Sequence, residues 1–128
     1  MGGGRAGAGA GPSADDVNWD ADWRDTTAHH EPAVPHLAAR RGPAGVAEFF
    51  SVLGGCTFHA FEVLALLGND DEVVARIHAD LSLPNGGRLR DEELHWWCFD
   101  SSGQVAAFRH YIDTAKHRAA ATGVDTTL

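Results

Sequence analysis

At 128 residues the chain is long enough for one domain around a single hydrophobic core. It is 44% hydrophobic and 22% charged, an ordinary globular composition. No apolar run reaches the ~20 residues that span a bilayer, and a formal net charge of -8 with no basic stripe argues against nucleic acid as a partner.

The leader "MGGGRAGAGAGP" is mostly glycine and alanine, and the entropy of ordering glycine predicts disorder over residues 1–13. It holds no apolar stretch of the kind a secretory signal needs. A domain is expected over 14–121 and a tail over 122–128. "VNWDADW" from Val17 reads as a short strand, and Arg24 to Arg41 as an irregular segment carrying His29, His30 and Glu31. Gly42-Pro43 then opens a helix. Val46, Phe49, Phe50 and Leu53 form its apolar stripe, and Gly54-Gly55 ends it. The turn-forming stretches "GNDD", "PNGG" and "DSSG" divide the rest into strands near 57–67, 72–83, 88–99 and 104–113. These make a four-stranded antiparallel meander, with a short helix over 115–121. Cys56 and Cys98 form no CxxC motif and read as reduced, buried thiols of a cytoplasmic protein.

Hairpin turns fix register, and register fixes which side chains share a face. A two-residue turn at Gly86-Gly87 pairs Asp80 with Glu93, His78 with His95 and Arg76 with Trp97. A turn centred on Asn69-Asp70 sets His59 beside Asp80 and Phe61 beside His78. The last turn has two solutions. A four-residue loop brings His110 and Phe108 to this face; a three-residue loop with Gly103 in a bulge brings Arg109, Tyr111 and Asp113 instead. Under the first, one face carries His59, Asp80, Glu93 and His110, then Phe61, His78, His95 and Phe108, then Arg76 and Trp97. Histidines between carboxylates and aromatics suit a small apolar ligand and proton transfer on it. The opposite face, with Ala75, Ile77, Ala79, Leu81, Leu94 and Trp96, is more apolar. Patterning alone would make it the core and leave the histidines in solvent. The four histidines lack the usual ligand spacings, so no metal is expected.

"SADDVNWD", the "GPAGVAEFF" helix and a meander ending "FDSSGQVAAFRHYID", in this order, resemble the nuclear transport factor 2-like superfamily, and within it the SnoaL-like branch. The resemblance covers about residues 13–118. It implies an α+β fold: a cone-shaped curved antiparallel sheet, the meander plus a short N-terminal strand, packed with one clear helix. The pocket would lie inside the cone and a homodimer would form through the convex face. That arrangement puts the histidine face inside. Polyketide cyclases, steroid isomerases, limonene-epoxide hydrolases and non-catalytic binding domains share this fold. The isomerase base falls at Ala21, flanked by Asp20 and Asp22, and the oxyanion-binding acid at His95; the helix that bears the isomerase tyrosine has no counterpart here. The epoxide-hydrolase arginine falls at Arg76, its two acids at His78 and His110, and its water-holding pair at Trp19 and Ala21. The expectation is therefore cofactor-independent acid/base chemistry, an isomerisation, cyclisation or water addition, on an apolar metabolite. Arg76, His78, His95 and His110 would act, with Trp19, His59, Phe61, Asp80, Glu93, Trp97 and Phe108 around the substrate. The alternative is a ligand-binding or dimerisation module without catalysis.

Overall fold

The computed structural model describes residues 13–22, 24, 31 and 33–128. Residues 1–12 of the expected leader and the His29-His30 pair lie outside them, while Ser13, counted in that leader, begins a strand. Strand β1 (Ser13–Trp19) leads through a 3-10 turn (Pro35–Leu37) to the two-residue β2 (Arg40–Arg41). Helix α1 (Gly42–Gly54) follows, then β3 (Thr57–Gly68), β4 (Glu72–Ser82), β5 (Arg88–Phe99), β6 (Val105–Tyr111) and α2 (Thr114–Ala121). The six strands form one curved, unclosed sheet in the order β2-β1-β6-β5-β4-β3. All neighbours are antiparallel except β1 and β6, which pair in parallel. No helix among the described residues is long and apolar enough to cross a membrane.

Both helices pack on the same face of the sheet. Helix α1 has Pro43 in its first turn, as the sequence suggests, and sets Phe49 against Trp19 and Phe108. From α2, Ala120 joins Ala75, Ile77, Ala79, Leu81, Leu83 and Leu89. The helix is held close because Gly87 has no side chain; a Cβ there would fall 1.8 Å from the Ala120 carbonyl oxygen. Beyond α2 the chain stays attached, with Thr126 N–H donating to the Arg88 carbonyl at 2.8 Å. Both cysteines are free and half-buried rather than buried, and burial pushes each thiol's pKa up.

The registers correct the sequence-derived map. Leu83 accepts from Gly86 N–H and donates to the Gly87 carbonyl, and Gly86 has φ +93°. The loop is therefore Pro84-Asn85-Gly86, three residues with glycine in the left-handed position, and not a two-residue turn at Gly86-Gly87. Asp80 pairs with Arg90, His78 with Glu92 and Arg76 with Leu94. Relative to the expected pairing this is a slip of three residues, and an odd slip exchanges the faces of one strand against the other. Ala75, Ile77, Ala79 and Leu81 thus share the inner face with Glu93, His95 and Trp97. On β3, register shifts set Phe61 opposite Ala79, so Phe61 faces inward while His59 does not.

The last turn combines features of both sequence solutions. Asp100 pairs with Gln104, and Gly103 has φ +83°, which makes a three-residue loop. A further register shift between Cys98 and Phe99 then restores the other parity. Trp97 pairs with Phe108 and His95 with His110, all facing in. Arg109 and Tyr111 face out, with the guanidinium 5.1 Å from the Tyr111 ring. Asp113 caps α2 by accepting from Lys116 N–H.

Candidate functional site

Between the inner sheet face and the helices lies a cavity of about 140 Å³. One wall is aromatic. Trp19 stacks on Phe108 at 4.2 Å between ring centroids, Trp97 meets Phe108 edge-on at 4.5 Å, and Phe49 tilts against Trp19 at 5.0 Å. Phe50, Phe58 and Phe61 form part of the lining and are 56%, 40% and 52% exposed, so the cavity opens through an apolar rim. The other wall holds His36, Glu93, His95, His110 and His117, all buried.

At its edge, β1 gives way to Asp20, a wholly buried aspartate with φ +55°. Aspartate enters this left-handed region more readily than most residues. The kink is pinned by Asp20 N–H donating to the Phe108 carbonyl at 2.8 Å. Its carboxylate then meets β6: Oδ1 accepts the His110 backbone N–H at 2.7 Å and Oδ2 lies 2.7 Å from His110 Nδ1. A carboxylate can only accept, so Nδ1 carries the hydrogen, and in the neutral ring Nε2 has the lone pair. This is the aspartate–imidazole arrangement of a general base.

The His95 ring stands 4.8 Å from that of His110, nearly perpendicular to it. It is held from the opposite side, its Nε2 2.7 Å from Glu93 Oε1. Glu93 Oε2 and Asp91 Oδ2 converge on His117 Nε2 at 3.1 and 2.9 Å. His117 Nδ1 lies 2.9 Å from His36 Nε2. Burial alone would raise the Glu93 pKa, but hydrogen bonds from His117 and His95 outweigh it and hold Glu93 well below the usual carboxylate range. Burial would likewise lower His117, yet its bonds to Asp91 and Glu93 prevail and push it up to about 9. His36 goes the other way, down to about 3, through burial first and then the His117 charge. Asp91, Glu93 and His117 also have the types and closeness of metal ligands, one atom from each lying within 4.8 Å of the others. Their 2.9 and 3.1 Å contacts are hydrogen-bond lengths, and the proton on His117 satisfies both carboxylates. We read the cluster as a charged clasp.

Of the residues singled out from sequence, Trp19, Phe61, Glu93, His95, Trp97, Phe108 and His110 line the cavity together. The other four do not reach it. Arg76 is on the outer face, its Nε 2.9 Å from Glu92 Oε1, and His78 pairs alongside Glu92. Asp80, also on that face, is bound by Arg88 and Arg90 at 3.1 Å each, and the Arg88 hydrogen bond most of all lowers its pKa. His59 is exposed and contacts Ser82 Oγ at 2.7 Å. The matching of Arg76 and His78 to epoxide-hydrolase residues fails with them, because it assumed the inward register. Sequence reasoning noted Asp20 only as a neighbour of Ala21 and passed over His36 and His117. The usable signal for His117 was its place three residues before Ala120, on the one face α2 buries.

No family model and no curated relative matches the sequence. Solved structures do. An NTF2-like protein from Burkholderia xenovorans LB400 superposes with a TM-score of 0.70 at 19% identity, over 86% of this chain and 78% of that one. A candidate isomerase from Rhodopseudomonas palustris gives 0.66 at 16% identity, over 89% and 81%. A candidate SnoaL-like polyketide cyclase from Mesorhizobium loti gives 0.61 at 19% identity, over 77% of each chain. On these likenesses the chain has the nuclear transport factor 2-like fold.

Proposed function

We propose that this protein takes a small apolar molecule into the cavity and moves protons on it without a cofactor, with His110 as the base. The observation that carries this reading is the buried Asp20–His110 pair, whose imidazole lines the cavity across from its aromatic wall. Asp20 fixes the tautomer and supports the imidazolium that forms when Nε2 takes a proton. His95, whose Nε2–H is taken by Glu93, can return a proton from Nδ1 in its protonated form at a neighbouring position of the same ligand. Such a pair suits the opening step of an isomerisation or cyclisation, removal of a proton next to a carbonyl. The names of two structural neighbours, an isomerase and a polyketide cyclase, are in keeping with it. A cavity of this size encloses a group of about one aromatic ring. Acetophenone is therefore a suitable probe, with exchange of its methyl protons for deuterium followed by NMR. The protein is expected to accelerate exchange, and His110→Gln to remove about 100-fold of that acceleration. Exchange no faster than in buffer would refute the catalytic reading.

The wide apolar rim favours a second reading, a ligand-binding module whose mouth is closed by something other than its own chain. Tight binding of aryl ketones with no proton exchange would select it. In either case we propose a homodimer through the outer sheet face, where Leu94 and Tyr111 are 43% and 49% exposed beside Trp96. Light scattering on the eluting protein should give twice the chain mass.

A further inference from the structure

The ionisable wall contains two rings that the chemistry above leaves unused, His36 and His117. His36 sits on the 3-10 turn, is 5% exposed and lines the cavity. The state of this ring follows from its neighbour. His117 Nε2 lies between two carboxylate oxygens, at 2.9 Å from Asp91 and 3.1 Å from Glu93, and must carry a hydrogen. Two buried carboxylates around one imidazole hold it as the cation. His117 Nδ1 then carries a hydrogen as well and donates it to His36 Nε2 at 2.9 Å. His36 accepts there, so its own single hydrogen is on Nδ1. Among the described residues that nitrogen makes no hydrogen bond, and it is not among the sealed buried atoms.

We propose that His36 is the hydrogen-bond donor of the cavity, its Nδ1–H received by the carbonyl oxygen of an apolar ketone or aldehyde. The donor is stiffened by a cation behind it: Asp91 and Glu93 orient His117, His117 polarises His36, and His36 meets the ligand. The enolate part of this role rests on the acid/base reading above; the donor role does not. When His110 Nε2 removes a proton from the carbon beside the carbonyl, the C–H electrons pass into the carbonyl group and charge gathers on oxygen. The His36 hydrogen bond strengthens as that charge grows, without giving up its proton. Returning the proton from His110 to carbon closes the cycle with nothing consumed. The low pKa of His36 is consistent, since a ring that stays neutral remains a donor of fixed tautomer.

Two measurements test this. Nitrogen-15 NMR of the ligand-free protein should show His36 protonated at Nδ1 and bare at Nε2. Infrared spectra of carbonyl-labelled acetophenone should show the carbonyl stretch moving to lower frequency on binding. That shift should vanish in His36→Phe and return in part in His36→Gln, which restores a neutral donor. Proton exchange should fall about 100-fold in His36→Phe. The opposite tautomer, no binding of acetophenone, or an equal carbonyl shift in His36→Phe would each overturn the proposal. If His36→Phe does not fold, the tautomer and the wild-type carbonyl shift decide. Exchange without a carbonyl shift would remove His36 and leave His110; a carbonyl shift without exchange would do the reverse.

Discussion

Asp20 shows how much one side chain can organise. It bends the end of β1, ties that bend to β6, and sets the tautomer of His110. Asparagine tolerates the same left-handed backbone, and its amide oxygen can still accept the His110 backbone N–H. Its NH2 group would face His110 Nδ1, however, and force the ring into the opposite tautomer. Asp20→Asn should therefore unfold near the wild-type temperature while losing at least ~100-fold of proton-exchange activity. The His36–His117 contact makes a second prediction. His117 has a folded pKa of about 9, above its ordinary 6.5. Its contribution is complete below 6.5 and is lost as pH rises towards 9. His36 has a folded pKa of about 3, below the same 6.5. The unfolded chain takes up a proton there that the folded chain refuses, so stability falls as pH drops from 6.5 towards 3. Glu93, held low, contributes above its ordinary 4.5 and loses that contribution only in stronger acid. Stability from urea melts should peak near pH 6.5, falling by at most ~1.4 kcal/mol per pH unit as pH rises towards 9 or drops towards 4.5. A stability rising steadily from pH 6.5 to 9 would contradict the clasp.

Among the elements, α2 depends on the β4–β5 hairpin for its seat. It buries only His117 and Ala120, so polar contacts and the bare backbone at Gly87 hold it. Gly87→Ala should cost roughly 1–3 kcal/mol by pushing the helix outward. It should also weaken acetophenone binding more than a substitution at exposed Gly54, where an added Cβ meets nothing. The same hairpin marks the limit of what the sequence could disclose. Its alternation, its turn residues and the apolar stripe of α1 located the strands and the helix correctly. Register was decided by a finer matter, whether Gly86 is the last residue of a three-residue loop or the first of a two-residue one. Both are compatible with "PNGGR", and the choice moved Arg76, His78 and Asp80 from the expected pocket to the outer face. Residues on β5 and β6 kept their partners' side because the loop at Gly103 and the later register shift cancel in parity. His36 and His117 were hidden for another reason. His36 comes from a segment without periodicity and His117 from a helix with one short buried stripe, and only the tertiary fold brings them together.

At the scale of the whole molecule, the open sheet leaves β3 as an edge with Leu64, Leu66 and Leu67 44%, 66% and 66% exposed. An apolar edge of this kind needs a cover or invites association. The parallel pairing of β1 with β6 has a different consequence, one of timing. Asp20 leaves the ribosome 90 residues ahead of His110, a gap of roughly 5–20 s at ordinary rates of synthesis. Throughout that interval Val17 and Trp19 have only the two-residue β2 beside them, although every antiparallel hairpin of the meander can close as it emerges. The site is thus the last part of the protein to come into being, and a nascent chain arrested before β6 would carry five of its six strands and no base.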